Sequence, residues 1–293
     1  LAMLARFVDK SALQFHDDGR YRRHTLMAQY ARLKLSDDAG LRAQTRETHA
    51  RYFGGFVKKL EADFLGGQPQ NAMPPYLADL ANIRAAWEWA VETCDASIFN
   101  AMSDSIMQAF DLAGLYREAF QMAEAAIRSM ERLPKNAKKE SLIAKGRVMG
   151  LAGAFLFRIG EYQAAIDWCE KSLTALEKYR PHIAYAHTLI YAGAAQFGLG
   201  DMQRVIEHWK NAAEEYRAVD SAWGEMTANS NLAEVFLATG QLFEGTASAE
   251  RALSLARSMK NLEMIGAAST SLANAALQAG KFEIGRASCR ERV

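Results

Sequence analysis

The chain is poor in proline and cysteine. Five prolines in 293 residues favour long uninterrupted helices over a fold of strands and turns, because proline breaks a helix interior. The three cysteines, Cys94, Cys169 and Cys289, are odd in number and widely spaced, so they form neither a disulfide framework nor a C-x-x-C metal pair. This usage is typical of a reducing compartment.

Long apolar runs, targeting segments and catalytic motifs are also lacking. No stretch approaches the ~18 to 20 apolar residues that span a bilayer, and the first residues do not resemble a signal peptide. We therefore predict a cytoplasmic protein without a membrane partner. The sequence contains no G-x-x-x-x-G-K-[ST], H-E-x-x-H or G-x-S-x-G, and no G-x-G-x-x-G before a helix. These absences predict that the chain is not an enzyme, with no catalytic residue, no metal site and no cofactor of its own.

Charge is unevenly distributed although the formal net charge is only +1. Residues 1–60 carry 12 Lys and Arg against 6 Asp and Glu, whereas residues 61–282 carry 20 against 26. The N-terminal part could therefore contact phosphate, but the body is not a general nucleic-acid surface.

A repeat of 40 residues organises the second half of the chain. Glycines recur at this spacing, and an apolar-rich helical pattern precedes and follows each of them. They are Gly160, Gly200, Gly240 and Gly280. A glycine between two helices ends the first one in a left-handed or tight turn. The predicted unit is therefore a helical hairpin.

Small residues occupy a second column, seven positions before each corner glycine. They are Gly153, Gly193, Ala233 and Ala273. This arrangement resembles the tetratricopeptide repeat over residues 141–282, and a more divergent unit begins at Gly114, so we assign residues 114–282 to the repeats. The resemblance implies an all-α fold, an α-solenoid whose hairpins stack on their neighbours and leave a concave face. Because the family period is about 34 residues, HEAT-type repeats of ~40 to 47 residues remain an alternative.

Residues at equivalent positions of successive repeats differ by 40 in number, and we call each such set on the concave face a column. These columns predict a mixed polar and aromatic groove for a protein, a peptide or a small effector. The candidate residues are Arg147, Phe157, His187, Ile190, Phe197, Glu234 and Asn274. The alternative is that the phenylalanines seal the hairpin cores, because apolar stripes at helical spacing are mostly packing.

The N-terminal part has a different pattern. Residues 1–13 are helical, "LQFHDDGRYRRH" alternates around Asp18-Gly19 as a β-hairpin, and Thr25 is placed to cap a helix with Leu26, Tyr30 and Leu33 on its apolar face. Helix, two-stranded wing and helix form the closing part of a winged helix. We assign residues 1–38 to this partial winged helix and residues 39–113 to a linking helical region.

The residues of this part carry a more specific resemblance. The string "FVDKS" and the pattern Y-R-x-H-x-L-x-x-x-Y-A-x-x-K-L, with "LADLANIRAAWEWAVE" at residues 77–92, resemble bacterial signal-transduction ATPases of the AP-ATPase, NB-ARC or STAND type. That resemblance implies a winged helix behind an upstream nucleotide-binding domain, with ATP or ADP bound in the intact protein. It also implies that His24, with Arg22 nearby, senses the nucleotide phosphates. The alternative is that His24 ends a strand and contacts no nucleotide.

Two functions are compatible with these patterns. The first is a non-catalytic sensor region of a signal-transduction ATPase or transcriptional regulator, which binds a partner on its repeats. The second is a stand-alone repeat scaffold. We do not expect direct DNA contact, since the basic wing has no well-formed recognition helix beside it. Residues 283–293 resemble a translated sequencing adapter, so we expect a fragment that is open at both ends.

Overall fold

The computed structural model describes residues 2–17, 19–134 and 136–280. The chain forms two compact units, Leu1–His49 and Ala50–Val293. Asp18 of the expected hairpin turn and the expected adapter tail at residues 283–293 lie outside the described residues. Among the described residues, none of the helices combines the length and apolarity that crossing a membrane requires.

The first unit contains a short two-stranded sheet between helices. Its elements are α1 (Ala2–Asp9), β1 (Leu13–Phe15), β2 (Tyr21–Arg23), α2 (Thr25–Ser36) and the start of α3 (Ala39–Leu65). The strands are antiparallel, with Gln14 opposite Arg22. The order of helix, hairpin and helix agrees with the prediction, but the first helix ends at Asp9 and Leu13, predicted to be helical, begins β1. The described residues of this unit include no buried side chain, so the apolar face of α2 is exposed.

The expected cap of α2 is wrong by one residue. His24, not Thr25, is the N-cap, because its Nδ1 accepts the backbone N–H of Leu26 at 3.3 Å. An imidazole nitrogen here satisfies one of the amide groups that a helix start leaves without a partner. Thr25 is the first helical residue.

The second unit is built from antiparallel helices with short links. They are the rest of α3, then α4 (Pro69–Ala78), α5 (Leu80–Thr93), α6 (Ala96–Ala113), α7 (Tyr116–Met130), α8 (Lys139–Ile159), α9 (Tyr162–Leu176), α10 (Ile183–Leu199), α11 (Met202–Ala218), α12 (Ala222–Ala238), α13 (Leu242–Ser258) and α14 (Leu262–Gln278), with a 3₁₀ turn at Glu177–Tyr179. The hairpins are α6–α7, α8–α9, α10–α11 and α12–α13. Each packs on its neighbours, and the core runs along the stack.

Long helices account for the period of 40 residues. Each helix from α10 to α14 has 17 residues, and only two or three residues separate one from the next. The corner glycines have the predicted left-handed backbone, for example φ +92° at Gly160 and +81° at Gly200. Gly114 has φ +68°, which makes α6–α7 a hairpin of the same kind.

Close approach explains the column of small residues. A Cβ at Gly153 would lie 2.5 Å from the Cys169 Sγ, and one at Gly193 would overlap the indole of Trp209. Both glycines lie on the first helix of a hairpin, and both contacts come from the second. The glycines therefore let a large side chain of one helix lie directly on the backbone of the other.

Candidate functional site

A cavity of about 600 Å³ opens on the surface formed by the first helices of successive hairpins. We call it the aromatic cavity, because Phe157, Tyr191, Phe197 and Trp209 line it. Phe157 on α8 and Phe197 on α10 lie where the 40-residue columns place them, whereas Tyr191 of α10 and Trp209 of α11 were not predicted. The helices α6 and α12 contribute further lining residues. The predicted columns thus meet at one cavity.

One repeat position is occupied by Phe157, Phe197 and Leu237 in successive hairpins, and it differs in burial from one hairpin to the next. Phe197 is 49% exposed and its ring stacks on Trp209, with centroids 6.5 Å apart and planes 20° apart. Phe157 is half-buried and also lines the cavity. Leu237, one repeat later, is only 7% exposed. Core sealing therefore describes Leu237, Phe197 forms part of the cavity wall, and Phe157 does both, because it lines the cavity and also packs on the core cluster of its own hairpin.

A second cavity of about 240 Å³ adjoins the first. We call it the His187 cavity. The two cavities adjoin, because both are lined by Met107, Arg158, Ile190 and Tyr191. Together we call them the inner groove. A groove of this kind accommodates an extended ligand better than a compact one.

Asp104 on α6 is the charged centre of the His187 cavity. Its Oδ2 accepts a hydrogen bond from Arg147 at 2.7 Å, and its Oδ1 lies 3.4 Å from the His187 Nδ1. All three side chains are less than 15% exposed. The His187 ring also packs against Tyr216, with centroids 5.5 Å apart. Arg147 and His187 were predicted from the sequence; their common partner was not.

This arrangement holds Asp104 in its charged form. Burial alone would raise the pKa of the carboxyl group, but the positive charge of Arg147, with the attraction and hydrogen bonds from His187 and Arg147, lowers the pKa well below its usual range. The cluster therefore fixes α6, α8 and α10 relative to one another. Within the groove, the negative charge of Asp104 is compensated by Arg147 and is not free to bind a ligand.

Arg158 is neutralised in the same way. Its Nε and Nη2 donate to the two carboxylate oxygens of Asp111 at 2.6 and 2.8 Å. Its guanidinium carbon lies 5.3 Å from the centroid of the Phe157 ring. The wall of the aromatic cavity thus already holds one cation on an aromatic face.

The remaining predicted residues occupy different places. Ile190 and Glu234 line the groove, whereas Asn274 is exposed on α14 and lines neither cavity. Asn274 lies one repeat beyond the helices that form the aromatic cavity, so the column that contains Asn274 extends past the end of the cavity. His24 and Arg22 belong to the first unit, where His24 caps α2 and Arg22 lies in β2.

No group of three or more His, Cys, Asp or Glu side chains in residues 2–17, 19–134 and 136–280 could hold a metal ion. Asp104, Asp111 and Glu61 of the inner groove instead form ion pairs.

Comparison with known proteins gives structural matches only. No protein-family model and no curated protein matches the chain. BtubC (BKLC) from P. vanneervenii has a similar structure, with a TM-score of 0.58 at 14% identity, covering 80% of this chain and 89% of BtubC. Aspartyl phosphate phosphatase F from Bacillus subtilis matches with a TM-score of 0.58 at 12% identity, covering 99% of this chain and 79% of its own.

A third match is a Rap protein solved in complex with Competence and Sporulation Factor, with a TM-score of 0.50 at 12% identity, covering 83% of this chain and 75% of its own. At these identities the similarity shows the fold and not the activity. The neighbours are helical repeat proteins of the tetratricopeptide type, which favours that repeat over the HEAT alternative. The chain is therefore an all-α, tetratricopeptide-like α-solenoid of helical hairpins, with a short two-stranded sheet before them.

Proposed function

We propose that this chain is a non-catalytic interaction module that binds a protein or peptide segment in its inner groove. One observation carries the proposal: successive hairpins bring Phe157, Phe197 and Trp209 together around an open cavity of about 600 Å³. Exposed aromatic side chains in a concave site are the usual anchors of binding energy.

The shape of the groove favours an extended ligand over a small effector. The aromatic cavity adjoins the His187 cavity and shares lining residues with it. A segment of several residues could bury side chains in both cavities, whereas a small effector would occupy one. The Rap protein of similar fold was solved with a bound factor, which is compatible with a binding role for this architecture.

A peptide library provides the test. Random peptides displayed on phage are selected on the purified chain, and the affinity of a selected peptide is measured on Phe197→Ala and Phe243→Ala. Both phenylalanines are exposed, Phe197 by 49% and Phe243 by 83%, but Phe243 lies on α13 and lines neither cavity. We expect Phe197→Ala to weaken binding about tenfold or more and Phe243→Ala to leave it unchanged. Equal effects of the two variants would contradict the proposal.

A regulatory setting for this module rests on the first unit. We propose that the chain serves a signal-transduction ATPase or transcriptional regulator, in which His24 contacts a nucleotide phosphate. The supporting observation is that the His24 Nδ1 accepts the Leu26 N–H, so a neutral ring carries its proton on the exposed Nε2 and can donate it to phosphate.

The test of this setting is ADP linkage. In the intact protein that carries this chain, ADP should raise the melting temperature. His24→Asn, which can still cap α2, should abolish that rise without lowering the melting temperature measured in the absence of ADP. A rise that persists in His24→Asn would contradict a role for this residue.

A further inference from the structure

Glu234 differs from the other charged residues of the inner groove. It is exposed on α12 and lines the aromatic cavity. Among the described residues it has no ion-pair partner, whereas every other charged side chain that lines the two cavities is paired. Those pairs are Asp104 with Arg147 and His187, Asp111 with Arg158, and Glu61 with Lys58. The groove therefore carries one uncompensated negative charge.

Aromatic residues line the same cavity as Glu234. Phe197 and Trp209 stack nearly parallel, and the Trp209 Nε1 donates to the Ile190 carbonyl at 3.1 Å, which fixes the indole. Because Trp209 is only 7% exposed and Phe197 is 49% exposed, the Phe197 ring is the aromatic face that is open to a ligand. A carboxylate beside aromatic faces is the arrangement that stabilises a cation, through an ion pair and through attraction to the ring quadrupole. Arg158, held on the Phe157 ring in the same cavity, shows this chemistry within the chain.

A negatively charged side chain on the ligand would bind less favourably than a cation. An acidic side chain would need Arg158, but both of its bonding nitrogens already donate to Asp111. Displacing a bidentate carboxylate costs more than adding a partner to an unpaired one. The groove thus accepts a cation without breaking any interaction that it already makes.

We infer that the segment bound in the inner groove carries a lysine or arginine whose cationic head pairs with Glu234 while its methylene stem packs on the exposed ring of Phe197. This inference rests on the proposed peptide-binding function and adds the chemistry of the anchor residue. Long basic side chains suit such a site because they bury their stems along apolar surface and keep the charge at the polar end.

Peptides selected from the random library on the wild-type chain are the probe. We expect each strong binder to contain one lysine or arginine that cannot be replaced by norleucine or citrulline without loss of affinity. Glu234→Gln should weaken binding about tenfold, and the neutral peptide should bind wild type and Glu234→Gln equally. Glu244→Gln, an exposed residue of α13 that lines neither cavity, is the matched control and should change nothing.

The outcomes separate the two proposals. Peptides that lose affinity on Phe197→Ala but bind Glu234→Gln as well as wild type would overturn the cationic anchor and leave the groove as the binding site. A library that yields no binder, or binders insensitive to Phe197→Ala, would overturn the proposed function and the anchor with it. Because Glu234 is exposed and unpaired among the described residues, its replacement does not disturb the fold.

Discussion

The indole of Trp209 lies directly on the backbone of Gly193, so closely that a Cβ at this glycine would overlap the ring. The same indole stacks on Phe197 and lines the aromatic cavity. Packing inside one hairpin and the shape of the inner groove therefore depend on a single residue pair. The absence of a side chain at Gly193 is what allows α11 to place an aromatic ring in the groove.

Replacing this glycine should be costly. Gly193→Ala must push the indole or separate α10 from α11, and overpacking of this kind costs about 2 kcal/mol of the free energy of unfolding. Gly266→Ala is the control, because a Cβ there meets nothing within 4 Å, and it should be neutral or stabilising by about 0.5 kcal/mol as a helix-interior Gly→Ala change. Urea unfolding measures both. Equal stability of the two variants would show that Gly193 is not needed for close approach.

The same repeat position should give different costs in successive hairpins. Phe197→Ala removes a half-exposed ring and should lower the free energy of unfolding by only about 1 kcal/mol. Leu237→Ala empties a site that is 7% exposed and should cost about 3 kcal/mol. Thermal or urea unfolding distinguishes them. A larger cost for Phe197→Ala than for Leu237→Ala would mean that the phenylalanine belongs to the core and not to the groove wall.

The buried cluster at Asp104 should make stability depend on pH. Because Arg147 and His187 lower the pKa of Asp104, the charged carboxylate stabilises the fold above its unfolded pKa of about 4, and this contribution is lost as pH falls toward the folded pKa. Asp104→Asn leaves Arg147 without its charged partner and should cost about 3 kcal/mol at pH 7.

The pH profile of that variant provides the check. The stability difference between wild type and Asp104→Asn should shrink below about pH 4, whereas the exposed Asp167→Asn should match wild type throughout. A difference that stays constant down to pH 2 would show that Asp104 acts through packing alone.

A three-helix ion cluster provides another stability test. Glu225 of α12 is 5% exposed at its side chain and accepts hydrogen bonds from Arg217 of α11 and Arg251 of α13. Burial would raise the pKa of its carboxyl group, but the two arginines lower it. Glu225→Gln should cost about 2 kcal/mol, measured by urea unfolding, since it leaves both cations without a charged partner. Glu250→Gln, at an exposed residue, should leave the free energy of unfolding unchanged. A similar decrease in both variants would contradict this explanation.

The repeat spacing predicted the hairpins because corner glycines and small residues are requirements of backbone geometry. The regular columns also predicted that Phe157, Phe197, Ile190 and Glu234 lie on one surface. Asp104 was missed because the hairpin that carries it has its corner at Gly114, 46 residues before Gly160, and so falls outside the 40-residue register.

Other parts of the site depend on contacts that the sequence does not encode locally. Trp209 was missed because the columns followed only the first helix of each hairpin, whereas Trp209 lies on the second helix, α11, and packs on Gly193 of the first. Asn274 follows its column correctly but lies one hairpin beyond the cavity, since a column does not say where a groove ends. The capping role of His24 was also missed. Residue preferences at helix starts favour Thr, and only the side-chain geometry shows that His24 is the cap.

The most direct test of the binding groove is site-specific photo-crosslinking. p-Benzoylphenylalanine is placed at position 197 in one variant and at position 243 in another, each is irradiated with a selected peptide, and crosslinked residues are identified by mass spectrometry. Binding in the inner groove predicts a peptide adduct from position 197, formed beside the peptide's basic residue, and none from position 243. An adduct from position 243 alone, or from both positions equally, would show that the peptide binds elsewhere and would contradict the proposed function.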